Sequence, residues 1–341
     1  MQRTRIFVSL ALFVLSCALC GYAAKLRQVA MIDLPGDPGF NQVAIANGQV
    51  VISRPATNTV EIFSPAKRRV IARISQIDDP RGIAVDDKGF RVYIALGGSN
   101  RIAVVNSRDW QVEKLIPVTH RPEKLLWVAE ANTLYVTSIL DRTLSLVVPV
   151  AGREGSVVDL DGLPEDLAYD SARHALLLTL QDLSEVATLD RSGQVIGRFK
   201  LAASEPTGMV LDNARRRLYV AVRYAVVALN ADTGAELARV PAPGGTSTLA
   251  LDSDSNLLYA AAGDGSVLAI DLNRNTVDHE LPTDVKGYSL AYDPVHKMLF
   301  MPGGREGRSK MVVLTPISLN VPATAPVAAQ KNSGLEQTAQ K

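Results

Sequence analysis

Cysteine is almost absent from this 341-residue chain: Cys17 and Cys20 are the only two, and both lie near the N-terminus. A body without cysteine has no disulfide framework, no thiol nucleophile and no thiolate metal ligand. Histidine is also scarce, with four residues, and charge of one sign is missing, with a formal net charge of +1. That balance argues against a nucleic-acid partner and against steering to an acidic membrane surface. Long apolar runs are missing too. The longest, Ile6 to Leu19, is too short for an ordinary membrane span. It follows Arg3 and Arg5 and precedes Gly21-Tyr22-Ala23-Ala24, the order of a positive, an apolar and a small-residue segment in an export signal. Residues 1–24 are therefore expected to be a signal peptide cut after Ala23 or Ala24, leaving no membrane span in the mature form and a periplasmic or secreted protein. Val14-Leu15-Ser16-Cys17 is a marginal lipidation site that leaves an anchored form as the alternative.

What is present is a repeat. Pro80, Pro122, Pro164 and Pro206 stand 42 residues apart. Each is followed three residues later by an apolar run, at Ile83, Leu125, Leu167 and Met209, and thirteen residues later by Tyr93, Tyr135, Leu177 or Tyr219. The spacing recurs without proline from Thr246 to Tyr259 and from Gly287 to Phe300, and a shorter copy begins at Val43. Every unit continues with a third apolar run, often closed by a turn-forming Asn106, Asp190, Asn230 or Asp271, and then with a charged fourth run such as Val112-Glu113-Lys114-Leu115. Runs of four to six residues rich in Val, Leu, Ile and Tyr, bounded by Gly, Asp, Asn and Pro, are strands.

Three strands apolar at nearly every position need cover on both faces, and a charged fourth belongs at a wet rim. That is a propeller blade. The expected fold is all-β: a seven-bladed β-propeller of four-stranded antiparallel blades over residues 25–319. Because the last unit lacks its own fourth strand, the segment Leu26 to Leu34 is expected to supply it and close the ring. The Pro-, Ala- and Gln-rich segment 320–341 has no period and is expected to be a disordered tail.

The stretches "PRGIAVDDKGFRVYIALGGSNRIAVVN" (Pro80 to Asn106) and "LYVTSILDRTLSLVV" (Leu134 to Val148) resemble the YVTN-type propeller repeat. The resemblance runs over about residues 38–314. It departs from the repeat at Ser138, where the motif has Asn, and at Leu176-Leu177-Leu178 in the fourth unit. It implies an exported seven-bladed propeller in a superfamily that includes lactonase-like enzymes. It carries over no catalytic residue, because the motif positions are strand and turn positions.

Propeller ligands sit at the channel mouth, on the face built by the loops leading into each innermost strand and the loops between second and third strands. Arg54, Arg81, Arg121, Glu123, Glu165, Asp166, Arg223, Lys286 and Arg305 are the candidate ligand-binding residues there, with Lys124 and Glu205 beside them. Of the histidines only His120 is placed to reach that face, so neither a His-rich metal site nor a His-dependent triad is expected. Asp252-Ser253-Asp254-Ser255-Asn256 begins like a calcium loop but has Leu257 where glycine is needed. Gly287-Tyr288-Ser289-Leu290-Ala291 looks like a nucleophile elbow without the helix an elbow requires. Gly303 to Lys310 reads as a mobile glycine-rich loop at the mouth. Asp141 and Arg142 are the residues that the "ILDR" loop would lift toward the mouth. The leading expectation is a non-enzymatic, monomeric binding or scaffold propeller with no cofactor, presenting this surface to an envelope protein or a small polar ligand. The alternative is a lactonase-like hydrolase or lyase holding a divalent metal on Glu123, Glu165, Asp166 and Glu205.

Overall fold

The computed structural model describes residues 22–320, and the blades occupy one compact unit, Ala24–Ile317. Of the expected signal peptide, 1–24, only residues 22–24 are described, at the start of a strand, and of the expected tail, 320–341, only Asn320; the rest of both lies outside the described residues. Seven four-stranded antiparallel sheets follow one another along the chain. The first six are built from consecutive strands and span residues 43–74, 80–117, 125–159, 164–200, 209–241 and 246–282. Each innermost strand packs against the innermost strand of the next blade, and the last packs against the first, so the ring is closed.

The seventh blade is assembled from both ends of the chain. Its order is Ala291–Asp293, Met298–Arg305, Arg308–Asn320 and then the N-terminal strand Tyr22–Asp33. The expected closure is thus present, with the strand starting a few residues earlier than Leu26.

Seven apolar clusters fill the seven gaps between blades. In the strand Gln49–Arg54, Val50 and Ile52 join the cluster toward the last blade while Val51 joins the cluster toward the second. A strand sandwiched between two neighbours must be apolar on both faces, which is why periodicity disappears in the middle strands. It returns on the rim, where Val195–Lys200 alternates between half-buried and exposed positions.

The aspartates that end the innermost strands are turn formers. Asp86 accepts from the Gly89 amide, Asp170 from Ala172 and Arg173, and Asp293 from Val295 and His296. Asp252 does the same for Ser255 and also holds Lys297 and the Tyr292 hydroxyl, so the calcium-like segment is the turn between two strands. The glycine-rich segment 303–310 is not a mobile loop. It is the end of a hairpin in which Gly303 pairs with Lys310 and Gly304 with Ser309. Its two-residue turn, Glu306-Gly307, has positive φ at both positions, 50° and 74°, as the right-handed twist of a tight hairpin demands.

Arg54 also differs from expectation. It is 1% exposed and offers no surface to a ligand. Its guanidinium donates to the Pro35 and Asp37 carbonyls and, at 3.0 Å, to the Ser309 hydroxyl 255 residues away. It also pairs at 2.8 Å with Glu61, which is fully buried and shared with Arg73. Arg54 therefore bolts the first blade to the seventh and to the loop between them. Removing one partner of a buried pair leaves an uncompensated charge, at a cost of about 3–5 kcal/mol. Arg54→Ala should destabilise the protein by that order in urea unfolding, whereas Arg223→Ala, on the exposed face, should move the midpoint little.

Candidate functional site at the channel mouth

The proline column lies at or just before the innermost strands: Pro80 and Pro164 open theirs, whereas those after Pro122 and Pro206 begin at Leu125 and Met209. Pro80 and Pro164 pair with the second strand, the register slips, and regular pairing resumes at Ile83 and Leu167; Thr246 shows the same slip before Thr248. The residues released from the ladder are the ones that carry polarity: Arg81, Glu165, Asp166 and Ser247. A bulge of this kind re-aims side chains without breaking the sheet.

Two positions after the proline column, the side chain is used to join blades. The Gln42 carbonyl oxygen accepts from the Ile83 amide, Asp166 from the Met209 amide at 2.9 Å, and Ser289 from the Val43 amide at 2.9 Å. Where that position is glycine, the next blade comes too close for a side chain. A Cβ on Gly82 would lie 2.2 Å from the Glu123 carbonyl oxygen, and one on Gly208 would lie 1.8 Å from that of Ser247. Ser289 is 4% exposed and committed to this bond, so the elbow-like segment holds no free nucleophile.

One position after the proline column the residues are Asn41, Arg81, Glu123, Glu165, Thr207, Ser247 and Tyr288. Here the second and third blades form a closed ion-pair cycle. Asp79 pairs with Arg81 at 3.0 Å and with Arg121 at 2.7 Å. Glu123 pairs with Arg121 at 2.9 Å and with Arg81 at 3.4 Å. Two guanidiniums beside Asp79 hold its carboxyl below the usual range despite partial burial. Glu123 goes the other way: desolvation pushes it up against the pull of the same arginines. Desolvation likewise raises Glu165 and Asp166, with Lys124 as the nearest opposing charge. Asp79 was not foreseen; its place directly before Pro80 was the available signal.

The remaining candidates divide. Arg223 is spent on Glu205 at 2.9 Å, both about half exposed. His120 and Asp141 approach to 3.5 Å, and Asp141 accepts from Ser138. Arg142 pairs with Asp182 at 3.2 Å. His174, His279 and His296 each have a partner on a different part of the ring: Glu130, the Leu26 amide and Asp293. Among the described residues, no three His, Asp or Glu side chains are placed to hold a metal ion. Of the four carboxylates in the metal-holding alternative, Glu205 is tied to Arg223 and Glu123 to Arg81 and Arg121.

Lys286 and Arg305 are different; Lys124 also forms no ion pair among the described residues but does not line the cavity that these two share. No ion pair is formed by either among the described residues; Arg305 reaches only the Met31 sulfur at 3.5 Å. Lys286 is held through its backbone, which exchanges two hydrogen bonds with Gly304. Both line a cavity of about 830 Å³ between the sixth, seventh and first blades, with Phe40, Tyr288, Asp284 and Glu306 in its wall. Tyr288, 40% exposed, was visible in the sequence only as part of a false elbow. Aligned on the proline column, it is the aromatic member of the mouth series.

The class these features define is a closed seven-bladed β-propeller with a polar, partly salt-bridged mouth and a cavity of about 830 Å³ beside Lys286 and Arg305. A family model described as "Outer membrane protein assembly factor BamB" matches residues 183–333, less than half of the chain. Among solved structures, a chain of Kuenenia stuttgartiensis hydrazine synthase is similar in fold, with a TM-score of 0.73 at 15% identity, over 82% of this chain and 96% of that one. No curated protein matches the sequence. What these two matches share with the YVTN resemblance is the propeller; the YVTN repeat family itself is not the one that the family model represents.

The raised carboxyls give a test of this electrostatic picture. A carboxyl with a folded pKa above its unfolded value binds more protons when folded, so stability falls as pH rises through that range. Glu165→Gln should therefore stabilise the protein at pH 7. The gain should vanish below the ordinary glutamate range, near pH 4, in denaturant titrations run at both pH values.

Proposed function

We propose that the protein is an exported, non-enzymatic binding propeller whose channel-mouth face engages a protein of the cell envelope, with the cavity beside Lys286 and Arg305 as the contact point. The observation that carries this reading is the contrast within the mouth. Arg54, Arg81, Arg121, Glu123 and Arg223 are consumed by intramolecular ion pairs, whereas Lys286, Arg305 and the half-open Tyr288 ring border an unfilled hollow. Exposed Tyr and Arg with access to a pocket are the side chains that most often carry binding energy in protein interfaces. The export reading rests on residues 1–24, and it is supported by the family model over residues 183–333, which describes an assembly factor for outer membrane proteins. Among the described residues, no helix is long and apolar enough to cross a membrane. A small polar ligand held by the same two cations is the second occupant the cavity could take, through charge-assisted hydrogen bonds.

A photo-crosslinking residue placed at Tyr288 should capture a discrete envelope protein in intact cells, and the same residue at Lys88, on the opposite face, should not. The double substitution Lys286→Glu with Arg305→Glu should abolish the adduct without lowering the melting temperature. Equal capture from both faces, or none from Tyr288, would refute the assignment.

A further inference from the structure

The outer strand of the seventh blade is held to the sixth blade by two side chains. His279 Nδ1 accepts from the Leu26 amide at 3.1 Å. Asp278 Oδ2 accepts from the Ala24 nitrogen at 2.7 Å. The Asp278 side chain is only 3% exposed, and its other oxygen receives Arg274 at 2.5 Å. Ala24 is itself buried, at 6% exposure, and is the first residue of the compact unit. Arg274 is shared between Asp278 and Asp271, at 3.0 Å from the latter, so two carboxylates face one cation, and the second oxygen of Asp278 is met only by a backbone nitrogen near the start of a strand.

The sequence points to the same bond. A cut after Ala23 places glycine and alanine three and one residues before the break, Gly21 and Ala23, whereas a cut after Ala24 places the large Tyr22 at the outer of these positions. Signal peptidases need small side chains at both.

We infer that the chain is cut between Ala23 and Ala24, and that the ammonium group so created is captured by Asp278 as a buried ion pair that latches the propeller ring. This rests on the export reading above. The peptidase hydrolyses the Ala23–Ala24 C–N bond; water supplies the hydroxyl of the Ala23 carboxyl group and the hydrogen on the Ala24 nitrogen, which then takes up a proton. The neutral amide donor at 2.7 Å becomes a cation at charge-assisted hydrogen-bond distance. The other charged or titratable groups around it are Arg274, Asp271, His279 and Lys25. In the uncut chain, desolvation holds Asp278 above the usual carboxylate range, opposed by the Ala24 amide and Arg274; a cation at Ala24 relieves that opposition to ionisation. Processing would thereby strengthen closure at the seam where the two ends of the chain meet.

The test is expression of the full chain in a secreting cell, followed by intact mass, N-terminal sequencing and acylation of the mature protein with an amine-selective reagent at neutral pH. A mature N-terminus at Ala24 is expected. A folded-state amine pKa raised by about one unit lowers the reactive neutral amine about tenfold, so Ala24 should acylate about tenfold more slowly than in Asp278→Asn. A second form with one extra glycine before Ala24 keeps the amide donor to Asp278 and should fold, yet lose the protection and melt at a lower temperature than the mature chain. A cut at any other bond, or an Ala24 amine as reactive as in Asp278→Asn or the glycine-extended form, overturns the inference while leaving export intact. An uncut chain retained in the cytoplasm, or one lipidated at Cys17 or Cys20, overturns both the inference and the reading of a freely exported protein.

Discussion

Face-to-face burial between blades is the constraint on which everything else depends. A single four-stranded sheet of this chain has two apolar faces and can be stable only when both are covered. Six blades find their neighbours by simple succession. The seventh must recruit the N-terminal strand, so the sixth and first blades are covered only if the two ends of the chain meet. The bonds that secure this seam are correspondingly specific: Arg54 to Ser309, Ser289 to the Val43 amide, Asp278 to the Ala24 nitrogen and His279 to the Leu26 amide.

The same closure shapes the mouth. At the position that follows the proline column by two residues, Gln42, Asp166 and Ser289 bond to the next blade, and Gly82 and Gly208 are glycine because the next blade is too near. Polar residues one position earlier are left at the rim of the channel. There the second and third blades neutralise one another in the Asp79–Arg81–Glu123–Arg121 cycle. These pairs are partly buried, so the desolvation of Glu123 offsets much of their attraction. Their larger consequence is that they engage Asp79, Arg81, Arg121 and Glu123 with one another, whereas Lys286 and Arg305 border a cavity.

Much of the architecture was legible in the sequence because a propeller is a periodic object. A spacing of 42 residues between prolines, the paired apolar runs and the charged fourth run each have one physical meaning, and together they require blades. The need for a closing strand followed from the missing fourth run of the last unit. Individual side chains were far less legible. Arg54 and Arg305 both lie at strand ends on the mouth face, yet one is sealed between blades and the other borders a cavity. Gly303 to Lys310 has the composition of a loop, but its partners make it a hairpin. Tyr288 and Asp79 gained significance only beside residues from other blades.

The sequence by itself determined the repeat, the number of blades, the strand order within each, the turn-forming role of the aspartates and the recruitment of the N-terminus. All of these follow from local spacing and from the demand that apolar faces be buried. Which charges are buried, which cancel and which remain open was decided only by the tertiary structure. Those outcomes depend on distances between residues about 40 or more than 200 positions apart, as in Arg81 with Glu123 and Arg54 with Ser309. An interaction energy that varies inversely with distance cannot be read from a one-dimensional pattern until the fold has set that distance.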